Sequence, residues 1–202
     1  TNLFIINLGV TGAYRGIYFE NTDLSTIRAD SVCANGLNGI YLNNGSDTNT
    51  VKDNTASNNS QTGLYISTSA FNTLDNNIAS SNPTNGNIRL FSGSKNTVRR
   101  NTANSGTYGL WLDSANDNTV DSNTFSSNSQ YGIFFNSGSS NTVYGNTCNS
   151  NSQVGIYFSG GTGNIVQNNI IKSNSEDGVR ATSASGNFVR FNHISSNTMS
   201  GV

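Results

Sequence analysis

The sequence is short of the residue types on which metal-binding, redox and membrane-spanning proteins depend. Its 202 residues include one His, one Met, one Pro and two Cys, and only 10% are charged, with a net charge of −1. These are too few soft ligands for a copper site, and no cofactor or metal is predicted. Without a basic stripe, a nucleic-acid partner has no electrostatic basis. The longest early apolar run, Leu3-Phe4-Ile5-Ile6, is too short for membrane insertion.

What the sequence has in abundance is one repeating motif: a Gly, two apolar residues separated by one position, and then asparagines at steps of five. The motif recurs every 22 to 24 residues from Gly16 to Gly201, with Asn87 in place of one Gly. A period this regular indicates a solenoid, in which each repeat packs only on its neighbours. The hydrophobic content of 33% fits such a fold, because each coil needs only a thin core. Residues 1–202 are therefore predicted to form a single domain.

Three ranks of apolar residues occupy fixed places in the repeat. Within one repeat, Ile133 and Phe135 share one side of a short strand, because alternate residues of a strand point to the same face. Like residues recur at these places in the other repeats, so strands of successive coils should pair in parallel. The prediction is an all-β, right-handed, single-stranded parallel β-helix of about eight coils, with three short strands per coil and a length of roughly 38 Å. The ranks run from Ile17 to Val179, from Phe19 to Ala181 and from Ile27 to Val189.

Three ranks of asparagine mark the corners between the strands. Two contain seven residues each, and a third is less strict. Asparagine carries both donors and acceptors, so stacked copies can bond to one another and to the turn backbone. The asparagines are therefore interpreted as structural ladders. They run from Asn49 to Asn187, from Asn54 to Asn192 and from Asn59 to Asn197.

The two cysteines do not predict a disulfide. Cys148 falls on an inward position of the repeat, whereas Cys33 follows the inward residue Val32 and should point outward. They are five coils apart, about 24 Å at ~4.8 Å per coil, which is beyond the reach of a disulfide. Cysteine usage therefore gives no redox compartment.

The unit G-I-Y-F-x-N-S-x-x-x-N-T-V-x-x-N-T-x-x-S-N resembles the right-handed β-helix repeats of NosD-like proteins. It is also similar to repeats of the wider group of carbohydrate-binding and sugar-hydrolase β-helix domains, and the resemblance covers the whole chain. It implies an extracellular or periplasmic setting and a polysaccharide partner, although such repeats serve lyases, epimerases, hydrolases, adhesins and surface-layer proteins alike. The copper that a NosD-like protein suggests is not expected, because this chain has too few soft ligands.

One outward row on the first strand of the repeat is predicted to be a contact face. Six of its eight residues are aromatic and two are arginine. Aromatic faces can stack on sugar rings, and arginine can hold the carboxylate of an acidic sugar. The same row could instead stabilise the sheet or contact another protein. The contact face comprises Tyr18, Tyr41, Tyr65, Arg89, Trp111, Phe134, Tyr157 and Arg180.

The acidic residues form no recognisable catalytic centre, and no catalytic residue is predicted. They scatter over different faces of the repeat, an epimerase-type Asp-Pro-His-Glu motif is missing, and the only histidine, His193, should be an exposed strand residue. Two local groups are interpreted as surface charge sets: Asp113 with Arg89, and Glu176 and Asp177 with Arg180. Cross-strand ion pairs are expected for Lys52 with Asp75, Asp75 with Arg99 and Arg99 with Asp121.

Neither end of the sequence carries a capping repeat: it starts in the middle of one coil and ends two residues into another. This predicts a slice of a longer protein or a subunit that stacks end to end, because open strand ends invite pairing. The functional hypothesis is a non-catalytic structural or adhesive module of a secreted or cell-surface protein, which contacts a polysaccharide or another protein through its contact face. The alternatives are a fragment of a polysaccharide-processing enzyme and a subunit of an extracellular filament.

Overall fold

The computed structural model of the protein describes residues 2–202, which form short strands joined by turns. The strands of successive coils pair in parallel, which confirms the predicted parallel β-helix of about eight turns. None of the described residues is helical, so this part of the chain contains no helix capable of crossing a membrane.

Two long sheets carry most of the backbone pairing, and in both of them equivalent residues of the repeat are Cα partners. The aromatic sheet has eight strands: Ile17–Glu20, Ile40–Asn43, Leu64–Ser67, Ile88–Phe91, Tyr108–Asp113, Tyr131–Asn136, Ile156–Ser159 and Val179–Thr182. The valine sheet has nine: Phe4–Ile6, Thr26–Arg28, Thr50–Lys52, Thr73–Asp75, Thr97–Arg99, Thr119–Asp121, Thr142–Tyr144, Ile165–Gln167 and Phe188–Arg190.

The third strand of the coil is shorter than predicted. Two short pairs occur: Gly9–Val10 with Ser31–Val32, and Ile170–Lys172 with His193–Ser195. Between them, single-residue bridges such as Thr124 to Thr147 join the coils. The pairing stops because the backbone N–H of the residue two positions after the bridge donates to a side-chain oxygen of the preceding coil rather than to a backbone carbonyl. The N–H of Asn149, for example, donates to Ser126 Oγ at 3.2 Å.

The core is a column of apolar side chains enclosed by the three faces. The predicted inward ranks are buried in every coil but the last, where Ala181 is exposed and Val189 is half-buried. Phe135 and Phe158 stack within the column with ring centroids 4.4 Å apart. Cys148 is fully buried, as predicted.

Asparagine ladders hold the corners, as the sequence predicts. Asn123 shows the pattern. Its Oδ1 accepts the backbone N–H and the side-chain amide of Asn101 at 2.8 and 3.0 Å, and its Nδ2 donates to Val98 O and to Asn146 Oδ1, both at 2.9 Å. The preceding residue, Ser122, has a left-handed φ of 56°. Residues other than glycine adopt this conformation at a cost of roughly 1–2 kcal/mol, which the ladder bonds offset.

In one coil the motif glycine and the ladder asparagine have swapped positions, and the ladder is still complete. Asn87 stands in the Gly place of the motif, and Gly106 stands where the third ladder needs an asparagine. The Asn87 side chain fills the gap: its Oδ1 accepts the backbone N–H of Asn82 at 3.1 Å, and its Nδ2 donates to Asn128 Oδ1 at 3.1 Å. A Cβ atom added at Gly106 would lie 2.6 Å from that amide nitrogen. The third ladder is therefore continuous in space although its rank is interrupted in the sequence.

Candidate contact face

The predicted contact face forms one continuous row along the aromatic sheet. Its members pair Cα to Cα from coil to coil in the order Tyr18, Tyr41, Tyr65, Arg89, Trp111, Phe134, Tyr157 and Arg180. Tyr18 is 38% exposed, and the other seven are half-buried. The structure thus brings all eight predicted residues together, with less of each side chain exposed than a freely projecting row would have.

The first block of the row is a stack of tyrosine rings. The centroids of Tyr18 and Tyr41 are 5.2 Å apart, and those of Tyr41 and Tyr65 are 4.5 Å apart with planes only 11° from parallel. Because the rings stack on one another along the solenoid axis, their faces are largely occupied, and edges and hydroxyl groups are left for contact. Asn43 links two hydroxyls, accepting from Tyr41 at 3.0 Å and donating to Tyr18 at 3.1 Å. The Arg15 guanidinium lies 4.9 Å from the Tyr18 ring centre.

Arg89 separates the two aromatic blocks and is already paired. Its guanidinium lies 4.0 Å from the Trp111 ring centre and 5.4 Å from that of Tyr65. Its Nη2 donates to Asp113 Oδ2 at 2.5 Å, and Asn136 Nδ2 donates to the other carboxylate oxygen at 3.0 Å. Asp113 is only 6% exposed. The guanidinium is thus held by ring contact and by a charge-assisted hydrogen bond, and its charge is balanced within the protein.

A second column of tyrosines widens the face beside Trp111. Tyr108 and Tyr131 are Cα partners at the start of two six-residue strands, and their rings stack at 5.5 Å. Tyr108 meets Trp111 edge-on at 5.4 Å, while Tyr131 lies 5.3 Å from Phe134 and 5.0 Å from Tyr157. Burial raises the pKa of both second-column hydroxyls above the ordinary value of 10.0. The repeat did not reveal these two residues, because the positions just before the motif Gly differ from coil to coil.

Arg180 ends the row within a cluster of carboxylates. Its Nη2 lies 2.8 Å from Glu176 Oε2, and its Nε lies 2.6 Å from Asp177 Oδ2. Burial acts to raise the pKa of Asp177, but the backbone N–H of Ser200, at 2.9 Å, and the Arg180 guanidinium outweigh it, so the pKa lies below its ordinary 3.8. Asp177 is therefore charged at neutral pH and balances Arg180. The group is the charge set expected from the sequence.

On the valine sheet, one of the three expected ion pairs forms. Arg99 Nη2 lies 3.2 Å from Asp75 Oδ2, as predicted. The predicted pair of Lys52 with Asp75 is wrong, because Arg100 engages both carboxylate oxygens at 2.9 and 2.6 Å, and Lys52 approaches its sequence neighbour at 3.9 Å instead. Among residues 2–202, no ion pair joins Arg99 to Asp121. Burial acts to raise the pKa of Asp75, but its two arginine partners hold it below 3.8.

The metal-ligating side chains of the described residues do not converge. Within residues 2–202, no three His, Cys, Asp or Glu side chains are grouped as a metal would require. His193 is exposed in its strand, as predicted, with Nε2 3.3 Å from Ser195 Oγ. Cys148 lies in the apolar column, where burial raises the pKa of its thiol, and Cys33 is half-buried; both are free. Met199 is 66% exposed.

Two overlapping segments, residues 1–154 and 84–202, match a family model described as periplasmic copper-binding protein (NosD). The chain belongs to the NosD family. Among residues 2–202 of this NosD-family chain, the soft donors do not fit a copper site, because Cys148 is buried in the core and Cys33, His193 and Met199 are not grouped with other ligands. No curated protein matches the chain.

Solved structures share the fold of this NosD-family chain at low sequence identity. The periplasmic alginate epimerase AlgG superposes with a TM-score of 0.87 at 16% identity, over 95% of this chain and 50% of its own. The A-module of the mannuronan C-5 epimerase AlgE6 from Azotobacter vinelandii gives 0.72 at 18%, over 89% and 57%. DFA-IIIase from Arthrobacter chlorophenolicus A6 gives 0.68 at 16%, over 95% and 58%. Identities this low establish the fold alone, and the chain spans about half the length of these structures.

Proposed function

We propose that this NosD-family chain is a non-catalytic β-solenoid module that binds a glycan along its contact face, outside the cytoplasm. The observation that carries the proposal is the unbroken row of half-buried aromatic and arginine side chains, repeated once per coil on a single sheet. A regularly repeated face suits a polymer whose own units repeat.

The chemistry of the face supports a sugar partner. Ring edges offer apolar contact to the C–H groups of a sugar, and tyrosine hydroxyls beside them offer hydrogen bonds to its hydroxyl groups. At the next outward position of the same strands, Asn43, Asn136 and Ser159 add further donors and acceptors. Contact through edges and hydroxyls replaces the stacking on ring faces that the sequence suggested, because the faces are occupied by neighbouring rings.

The comparisons support the same class of partner and setting. The structures that share the fold include alginate and mannuronan epimerases, whose names point to polysaccharides. The family is described as periplasmic, and AlgG is a periplasmic enzyme, which supports a location outside the cytoplasm for this chain.

A glycan array followed by calorimetry tests the proposal. Trp111→Ala and Tyr157→Ala should each weaken binding about tenfold or more, as expected for aromatic anchors in an interface. Tyr144→Ala is the matched control, since this tyrosine is 39% exposed but lies on the valine sheet. Tyr157→Phe keeps the ring stack and removes only the hydroxyl, so a smaller loss with this variant would assign part of the affinity to a hydrogen bond.

The glycan role fails if no oligosaccharide on the array binds, or if both alanine variants bind as well as the wild type while far-UV circular dichroism shows intact folds. The row would then act as a sheet-stabilising ladder or as a surface for another protein.

The second candidate is a polysaccharide-processing enzyme, which the superposition of 95% of this chain on AlgG favours. Against it stands the state of Asp113, the most buried carboxylate on the face, which is already engaged by Arg89 and Asn136. Product analysis after prolonged incubation separates the two functions. Intact oligosaccharides support the binding module, whereas unsaturated, shortened or epimerised products would establish an enzyme and overturn the proposal.

A further inference from the structure

The arginines of the contact face have internal partners for their charge. Arg89 is paired with Asp113 at 2.5 Å, and Arg180 with Asp177 at 2.6 Å and Glu176 at 2.8 Å. A guanidinium that binds an anionic ligand must direct its N–H groups at that ligand, usually in a bidentate arrangement. Here Arg89 directs Nη2, and Arg180 directs both Nε and Nη2, at carboxylates of the protein itself.

The contact face together with the charged residues beside it is slightly negative. Arg89 and Arg180 of the face and Arg15 beside it are accompanied by four carboxylates, so the net charge is 3 − 4 = −1. Among these arginines in the described residues, only Arg15 lacks an ion-pair partner. Its guanidinium lies over the rings of Tyr18 and Tyr41 instead. A polyanion on this surface would meet like charges, which disfavour association. The charged residues are Arg15, Arg89, Arg180, Glu20, Asp113, Glu176 and Asp177.

The rest of the face supplies hydrogen-bonding groups without charge. Tyrosine hydroxyls both donate and accept hydrogen bonds, and asparagine and serine side chains accompany them along the strands. Hydroxyl and amide groups suit the hydroxyls of a neutral sugar.

We infer that the contact face selects neutral glycans and rejects uronic-acid polymers, an inference that rests on the proposed glycan-binding function. The ion pairs at Arg89 and Arg180 act as specificity determinants, because they occupy the guanidinium groups that a carboxylated sugar would need. The preference is thus opposite to that suggested by the names of the alginate and mannuronan epimerases with which the chain shares its fold.

Matched oligosaccharide pairs test the inference in low-salt buffer. Mannohexaose and hexamannuronate are both β-1,4-linked and differ only in carrying a hydroxymethyl or a carboxylate group at C5. Cellohexaose forms a second pair with the hexamer in which the C6 hydroxymethyl group of every unit is oxidised to a carboxylate. Wild-type protein should bind the neutral member of a pair at least about tenfold more tightly, the size of effect expected when a charge is desolvated without a partner.

Two variants release the arginines without removing an aromatic ring. Asp113→Asn frees Arg89, and the double variant Glu176→Gln/Asp177→Asn frees Arg180 in a more exposed setting, where loss of the fold is less of a risk. In both variants the affinity for the acidic member, measured relative to that for the neutral member, should rise by about tenfold. Asp121→Asn, on the valine sheet, is the control for an equal rise in net charge away from the face.

The outcomes separate the two proposals. Tighter binding of the acidic member by wild-type protein, or no gain for it in either variant, would overturn the neutral preference and leave glycan binding intact. A lack of binding to every neutral and acidic oligosaccharide would overturn the proposed function itself.

Discussion

Replacing Asn87 by glycine should break the third asparagine ladder at a single coil. In Asn87→Gly, the buried backbone N–H of Asn82 loses the acceptor that it contacts at 3.1 Å. An unpartnered buried donor costs about 1–3 kcal/mol. The new glycine adds about 0.5–1 kcal/mol through the freedom of the unfolded chain. The free energy of unfolding should therefore fall by about 1.5–4 kcal/mol.

Gly106→Asn alone should also destabilise the coil, for the opposite reason. Its Cβ would lie 2.6 Å from Asn87 Nδ2 and 2.8 Å from Asn87 Cγ, and the displaced amide costs about 1–3 kcal/mol as overpacking. The double variant restores the arrangement of other coils, in which a motif Gly faces a ladder Asn, as Gly132 faces Asn151. Its stability should lie close to wild type, with a coupling energy of at least about 2 kcal/mol between the two sites.

Urea unfolding of the four proteins measures this coupling. Trp111, the only tryptophan, reports by fluorescence on a neighbouring strand, while far-UV circular dichroism reports on the whole solenoid. Both signals are needed because a solenoid can lose coils separately. If the two single effects add in the double variant to within about 0.5 kcal/mol, the Asn87 side chain does not replace the missing asparagine and the explanation is wrong.

Three further predictions concern packing, thiol chemistry and pH. Gly132→Ala should cost about 1–3 kcal/mol, because its Cβ would lie 2.6 Å from a backbone oxygen, whereas Gly9→Ala, with nothing within 4 Å, should leave the thermal midpoint unchanged; equal midpoints would contradict the packing. In the folded protein Cys33 should react with Ellman's reagent at pH 8, and Cys148 only after unfolding, because burial raises the pKa of its thiol; two fast thiols would contradict this. The folded pKa of Asp75 lies below 3.8, so its ion pairs stabilise the protein above that pH and are lost as pH falls through the folded value. Asp75→Asn should therefore be less stable than wild type at pH 7, and the difference in unfolding free energy should shrink below pH 3.8. A pH series of urea unfolding measures this difference. A difference that stays constant with pH would show that the charge of Asp75 is not what stabilises the fold.

The interior could be predicted from the sequence because each buried position has a repeated chemical signature. The apolar ranks that start at Ile17, Phe19 and Ile27 are confirmed as the core in every coil before the last. The asparagine ranks are confirmed as ladders, because an amide is the side chain that can both accept a backbone N–H and donate to the next amide.

The sequence did not predict the ladder positions at which another residue type supplies the acceptor oxygen. Ser25 and Asp30 extend two ladders into an earlier coil: Ser25 Oγ accepts the N–H of Leu3 at 3.0 Å, and Asp30 Oδ1 accepts that of Leu8 at 2.6 Å. Neither is an asparagine, so neither belongs to a rank. The role of Asn87 could not be predicted for a related reason. Its side chain fills the ladder position of Gly106, and the two residues come close only in the folded coil.

The alignment of the contact-face residues could be predicted from the sequence, but the stacking of their rings and the width of the face could not. Alternation along the strand places the eight residues on one side, and the register confirms their alignment. The stacking of the rings depends on side-chain rotamers, which the repeat does not encode. Arg15, Tyr108 and Tyr131 lie just before the motif Gly, where the repeat has no consensus, so the width of the face emerged only from the structure.

The ladders give the solenoid a direction. Along most of each ladder, an amide donates to the coil that follows and accepts from the coil before, as in the series Asn101, Asn123 and Asn146. Aligned amides polarise one another, so the hydrogen bond between two coils is strengthened by the coils beyond them. A coil stacked in the opposite sense would bring donor against donor or acceptor against acceptor at all three corners at once. Any solenoid grafted onto this one must therefore run the same way.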